Sequence, residues 1–225
     1  MNPERTKLIA CDAVLEEIVQ EVPAAIEVVA VDVALHVRPN SLRQFLQEEI
    51  DRTSAQRDTI LLGYGLCSRA VDGLVSSQST LIVPRVHDCI GLLLGKGDER
   101  VDGGQTEAGT YYLSKGWIES GDHLLGEYDR MRERFGEDRA LKLMNTMLGH
   151  YTRVAFIRTG PDPKLETYLS FSRQFAKTFN LRFEEINGSK EMMRRLIEGP
   201  WGDDFVIVPP GQAIDILAFL DMGSA

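Results

Sequence analysis

Short runs of β-branched residues and leucine recur at 7–11, 26–33, 59–64, 80–84, 153–157, 182–186 and 205–209, each bounded by polar or turn-forming residues. Between most of them, apolar residues return at helical spacing. Leu42, Phe45, Leu46 and Ile50 form one such stripe after the capping start Pro39-Asn40-Ser41, Leu165, Leu169, Phe175 and Phe179 form a second, and Met192, Met193, Leu196 and Ile197 a third. The Met and Phe positions read as core, because an amphipathic helix needs an apolar face whatever else it does. Strands alternating with such helices predict an α/β fold of mainly parallel open sheets flanked by helices.

The rhythm breaks in the middle. Residues 95–121 hold seven glycines and no sustained period, which predicts a long excursion from the sheet. Residues 127–150 then read as helical with a break at Gly136. The expected organisation is therefore an N-terminal α/β lobe over 1–95, a Gly/aromatic loop and helical connection over 96–150, and a C-terminal α/β lobe over 151–225. Both lobes are expected to be Rossmann-like.

Composition narrows the function. With 225 residues, 43% of them hydrophobic and 8% aromatic, the chain can bury a core without disulfides. Its 25 basic against 34 acidic residues give a net charge of −9 with no dense basic run, so nucleic acid is not an expected partner. No apolar stretch reaches the ~20 residues of a spanning helix, and the N-terminus lacks a signal-like segment. A cytoplasmic protein without membrane contact is expected. Three scattered cysteines in a reducing compartment point to metal binding, reactivity or simple burial rather than disulfides.

Those cysteines carry the main chemical signal. Cys11, Cys67 and Cys89 each follow an apolar, strand-like run, in TKLIAC, TILLGYGLC and LIVPRVHDC. If the runs are parallel strands of one sheet, the thiols share its carboxyl edge, where such folds hold ligands. In extended chain, residues i and i+2 point the same way, so His87 and Cys89 are expected to face one ion together. Cys11, Cys67, His87 and Cys89 are thus the predicted ligands of zinc or, alternatively, of an iron–sulfur cluster. Each cysteine alone also reads as a small buried hydrophobe. His36, leaving another strand-like run, is the alternate ligand or a base. Asp88 reads as a helix cap or a ligand-orienting group, and His123 and His150 as surface residues. A metal-free alternative makes Cys67 a nucleophile with His87 or His36 as its base.

Two further segments are candidate binding elements. Gly63 and Gly65, in GYGLCS, join a strand to an expected helix, whose free N–H groups would favour an anion and lower the Cys67 pKa. The plainer reading is a tight turn. Tyr111, Tyr112 and Trp117, in GTYYLSKGW, read as a loop covering a pocket or as a hydrophobic plug, with Tyr111 also a catalytic candidate. Pro209-Pro210-Gly211-Gln212 reads as an edge-lining turn opening a last helix over 213–220.

Taken together, GYGLCS, PRVHDCIGLLLG, GTYYLSKGW and EGPWGDDFVIVPPG resemble the family catalogued as domain of unknown function 1638, over nearly the whole chain. The resemblance implies a link to corrinoid-dependent methyltransferase systems and one-carbon metabolism. His87, Cys89 and Cys67 also supply the residue types of zinc enzymes that pass methyl groups between corrinoids and thiols. Here, however, the third cysteine precedes the His-x-Cys pair, and the chain is too short for the barrel those enzymes use. The expected function is a metal-dependent methyl transfer or another corrinoid-linked one-carbon step, with a small molecule or a corrinoid protein as partner. An iron–sulfur electron carrier and a non-catalytic metallochaperone or accessory protein are the alternatives.

Overall fold

The computed structural model describes residues 1–95, 109–121 and 124–219. In chain order the strands are β1 (Thr6–Cys11), β2 (Glu27–Val31), β3 (Thr59–Gly63), β4 (Thr80–Pro84), β5 (Thr110–Ser114), β6 (Arg153–Arg158), β7 (Arg182–Asn187) and β8 (Phe205–Val208). The α-helices are α1 (Asp12–Ile18), α2 (Pro39–Thr53), α3 (Cys89–Leu94), α4 (Lys115–Glu119), α5 (Leu124–Phe135), α6 (Glu137–Met147), α7 (Leu165–Thr178) and α8 (Glu191–Glu198). The fold is mixed α/β, with mostly parallel sheets flanked by helices, as the sequence pattern predicts.

The chain divides into two compact units, and their boundaries differ from the expected lobes. The first unit takes the start of the chain and the described residues from Ser189 onward; the second is inserted between them and ends at Gly188. The expected C-terminal lobe is thereby split. Its β6, α7 and β7 stay in the inserted unit, while α8 and β8 complete the first. The cause is pairing: β8 runs antiparallel along β4, with Leu81 opposite Val208 and Pro84 opposite Phe205. Chain order alone does not reveal such a partner.

In the first unit the sheet order is β2-β1-β3-β4-β8, with the first four strands parallel. Burial of nearly every residue of β1, β3 and β4 explains their continuous apolar runs. Lys7 is the exception in β1. Only 1% exposed, it bonds Glu49 of α2 and Glu27 of β2, each at 3.1 Å. Helix α8 turns its buried face, Met192, Met193, Leu196 and Ile197, toward Leu8, Ala10 and Gly63 of the sheet.

The inserted unit has a parallel sheet in the order β5-β6-β7. Strand β5 and helix α4 lie where a loop was expected. The aromatic segment is part of this unit's core: Tyr111 stacks on Phe175 with ring centroids 5.0 Å apart, and Trp117 packs on the same cluster. Tyr112 is a half-buried strand residue opposite Ala155. Gly136 separates α5 from α6 with φ +80, as its predicted helix break requires. Residues 96–108, the rest of the expected loop, and His123 lie outside the described residues; His150 is exposed. The expected last helix is a short 3₁₀ turn at Ile216–Phe219, after an exposed turn at Pro209 to Gln212. Among the described residues no helix is long and apolar enough to cross a membrane.

Candidate functional site

Four parallel strands deliver side chains to one edge of the first unit's sheet. The chain leaves β1 for β2 on one side and returns to β3 on the other, the kind of reversal beyond whose strand ends open α/β sheets place ligands. Cys11 ends β1, Tyr64 follows β3, Cys67 lies three residues further on, and Cys89 opens α3 after β4. His36 comes from the 3₁₀ turn Val33–Val37 after β2, whose start is capped by Asp32 accepting from the Ala34 N–H at 2.8 Å.

The histidine that joins the thiols is His36. Its Nδ1 lies 4.0 Å from Cys11 Sγ and its Nε2 lies 3.9 Å from Cys89 Sγ. His87 does not join them: its side chain is exposed, and it contributes a backbone carbonyl that accepts from the Cys67 N–H at 2.9 Å. The expected i, i+2 alignment fails because α3 begins at Cys89, so the extended geometry ends at Asp88. Asp88 is the N-cap of α3, accepting from the N–H groups of Ile90 and Gly91 at 2.9 and 3.2 Å.

Between β3 and Cys67 the chain runs against the 86–88 loop, with the Leu66 N–H on the Val86 carbonyl at 2.9 Å. A Cβ on Gly65 would stand 2.5 Å from the Val86 carbonyl oxygen, so only glycine fits this approach. Gly63 is opposite Ala10 in the β1–β3 ladder, where it packs against a strand neighbour. No helix starts at Cys67. Instead Cys67, Ser68 and Arg69 have φ of 45, 55 and 69, three successive non-glycine residues in the left-handed region. Each costs on the order of 1 kcal/mol or more, so other contacts must impose the turn. Arg43 of α2 donates to the Arg69 carbonyl at 2.6 Å, and Asp72 pairs with the Arg69 guanidinium at 2.8 Å.

All three thiols are buried. Burial pushes Cys11 from the ordinary 9.0 up to about 11, with Asp12 and Asp32 adding to the rise against the Ala13 and Val14 N–H groups. It pushes Cys67 up to about 12, with Asp88 and Cys11 adding and the Gly65 and Cys89 N–H groups opposing. Cys89 rises for the same reasons, burial first. The expected low Cys67 pKa is therefore overturned, because desolvation outweighs two backbone donors. Burial also holds His36 below its usual value, against a smaller upward pull from Asp88.

Raised thiol pKa values fix the sign of a pH effect on the metal-free chain. Above about pH 9 the unfolded chain loses thiol protons that the folded chain keeps, so stability falls by up to about 1.4 kcal/mol per pH unit for each thiol. Urea midpoints measured from pH 7 to above pH 10 are expected to decline over that alkaline range. A flat or rising profile would contradict the burial of these groups.

Tyr64 was not singled out from sequence, and only its place between two glycines at a strand exit could have drawn attention to it. It is 1% exposed, and its hydroxyl has no hydrogen-bond partner among the described residues. Burial raises its pKa most, and Cys11, Cys67, Asp12 and Cys89 each raise it further, which puts the phenol within the field of the thiol cluster.

Among the described residues, no group of three or more His, Cys, Asp or Glu side chains stands ready to hold a metal ion. His36 turns a different nitrogen to each of two sulfurs, Nδ1 to Cys11 and Nε2 to Cys89. The donor chemistry still fits a thiophilic ion. The surrounding carboxylates likewise favour a cation.

No curated protein and no solved structure matches this chain. The family described as "Protein of unknown function (DUF1638)" matches over residues 30–197, a span that includes His36, Tyr64, Cys67 and Cys89 and lies one strand beyond Cys11. The chain belongs to that family.

Proposed function

We propose that this protein binds one metal ion, zinc in the first place, through Cys11, Cys67 and Cys89 with His36 beside them, and that it takes part in methyl transfer or another corrinoid-linked one-carbon step. The observation that carries the metal reading is the placement of three buried thiols after strands of one parallel sheet, two of them within 4.0 Å of the His36 ring. Carboxylates raise the thiol pKa values further, and a divalent cation would reverse that cost by stabilising the thiolates. The one-carbon role rests on the motif resemblance; a small molecule or a corrinoid protein is the corresponding partner.

When bound, the ion supplies Lewis acidity and a coordination point for a nucleophile. The chain's own groups divide the remaining tasks. Cys11 and Cys89 flank His36, whose lowered pKa keeps it neutral and able to accept a proton. Cys67 is fixed by the left-handed turn. A metal-free Cys67 nucleophile fits less well, since its pKa of about 12 leaves little thiolate near neutrality and His36 contacts the other two thiols.

Anaerobic purification without a metal-binding tag, followed by elemental analysis and an absorption spectrum, tests the reading. About one zinc per chain is expected, lost on Cys11→Ser, Cys67→Ser or Cys89→Ser, with His36→Gln weakening binding more than His87→Gln. Iron with sulfide and a brown colour would shift the proposal to an iron–sulfur cluster. A chain that takes up no metal even when zinc is supplied would overturn it.

A further inference from the structure

We propose that the inserted unit carries a second ligand site, a cleft at the carboxyl ends of β6 and β7 that takes a small hydroxylated organic anion, its anionic group on Arg158 and a hydroxyl on Asp162. The site shares no residue with the thiol cluster and does not depend on the metal reading.

The first observation is the cleft. Its volume is about 580 Å³, within the range of small-molecule sites. The lining comes from 158–162 with Leu165 and from Asn187 with Gly188, so all of it belongs to the inserted unit. Strand β6 ends at Arg158 and β7 at Asn187, and open α/β sheets hold their ligands beyond such strand ends.

The second observation is a set of donors. Arg158 bonds Glu185 at 3.2 Å and Asn187 Oδ1 at 3.4 Å, both on β7, which fixes its guanidinium beside another lining residue. Those contacts take two of its five N–H groups. A guanidinium is a planar fork whose remaining donors suit a carboxylate or a phosphate.

The third observation is an acceptor held from several directions. Asp162 lies between Pro161 and Pro163, which restrict the backbone; Lys115 Nζ pairs with one of its oxygens at 3.0 Å and the Lys164 N–H bonds the other at 2.8 Å. Burial raises its pKa, but the Lys164 N–H and the Lys115 ammonium outweigh that and hold the carboxyl below its ordinary value. A carboxylate has about four acceptor positions, so about two stay open to hydroxyl groups. Groups fixed beforehand in this way lose little freedom when a ligand arrives.

The ligand class follows from the two kinds of group. Glu185 balances Arg158 and Lys115 balances Asp162, so a bare inorganic anion meets little net attraction. A molecule with one anionic group and several hydroxyls satisfies both ends of the cleft, and Pro161 and Leu165 give its carbon skeleton apolar surface. Sugar phosphates and polyhydroxy acids share that chemistry.

Calorimetric titration of the full chain tests the site, with ribose 5-phosphate and gluconate as probes and ribose and inorganic phosphate as controls. At least one probe is expected to bind once per chain with Kd at or below about 1 mM, and both controls about tenfold more weakly or worse. The stronger probe tells whether phosphate or carboxylate is the preferred head. Arg158→Gln is expected to weaken that probe about tenfold or more while leaving the urea midpoint nearly unchanged, because an exposed ion pair contributes little to stability. Asp162→Asn is expected to weaken the probe but not inorganic phosphate. Cys11→Ser is expected to bind the probe as the wild type does.

Failure of both probes to bind overturns the inference. So does an Arg158→Gln variant that binds like the wild type, inorganic phosphate binding as tightly as the better probe, or loss of binding in Cys11→Ser, which would move the ligand to the thiols. None of these outcomes bears on whether the thiol cluster takes up zinc.

Discussion

Alanine at position 65 is expected to lower stability by about 3–5 kcal/mol, the sum of overpacking and two lost hydrogen bonds. The reason is space. A Cβ there would meet the Val86 carbonyl oxygen at 2.5 Å and the Asp88 nitrogen at 2.7 Å. Both are backbone atoms, which cannot rotate away as a side chain can. Relief requires the 86–88 loop to move, which stretches the bonds from Leu66 N–H to Val86 and from Cys67 N–H to His87, both 2.9 Å. The same movement would displace the start of α3 at Cys89, so exposure of that buried thiol to a thiol reagent should rise as the urea midpoint falls. A loss below about 1 kcal/mol would show that this loop yields freely, contrary to its close packing.

Glu49→Ala is expected to cost about 3–5 kcal/mol by leaving the Lys7 ammonium buried with one partner fewer. Lys7 is 1% exposed and Glu49 4% exposed, and they meet at 3.1 Å. Glu27, also 3.1 Å from Lys7 but on a side chain 40% exposed, keeps the loss toward the lower end. The informative contrast is Lys7→Met combined with Glu49→Leu, which removes both charges. That pair is expected to stay within about 1–2 kcal/mol of the wild type, because apolar replacement of a buried ion pair is often nearly neutral. Chemical denaturation of the two variants decides it: equal losses in the single and the double variant would mean that shape rather than charge dominates at this end of the sheet.

Periodicity made most of the fold legible. The apolar runs that became β1, β3 and β4 are continuous because helices cover both faces of a parallel sheet, and the stripes of α2, α7 and α8 needed no tertiary information. Strand β5 escaped because Thr110 to Ser114 lies among glycines, and composition outweighed the strand preference of Tyr111, Tyr112 and Leu113. The role of β8 escaped for another reason. Its four residues read as a strand, but nothing in them says that their partner is β4, far back in the chain. At the site, the placement of three cysteines beyond the ends of β1, β3 and β4 followed from parallel strands alone. The histidine did not, since two-residue alternation holds only while the backbone stays extended, and the chain turns into α3 at Cys89. Tyr64 was hidden by its ordinariness, because an aromatic residue at the end of an apolar run looks like core until its hydroxyl is followed and found without a partner.

The way β8 closes the sheet has a consequence during synthesis. Cys11, His36, Tyr64, Cys67 and Cys89 all precede the insertion, whereas α8 and β8 come after it. At a ribosomal rate of about 5–20 residues per second, β4 would wait about 6–25 seconds with one edge open before its antiparallel neighbour is made. During that interval the three cysteines have been made but their sheet is not sealed, and an open strand edge is what drives chains to pair wrongly. The splice that ends this wait is short: the Ser189 N–H bonds the Leu93 carbonyl at 2.8 Å, and Gly95, with φ +80, lies close against Ser189. The newborn protein therefore has a window in which the edge of β4 is exposed to foreign strands before its own last strand arrives.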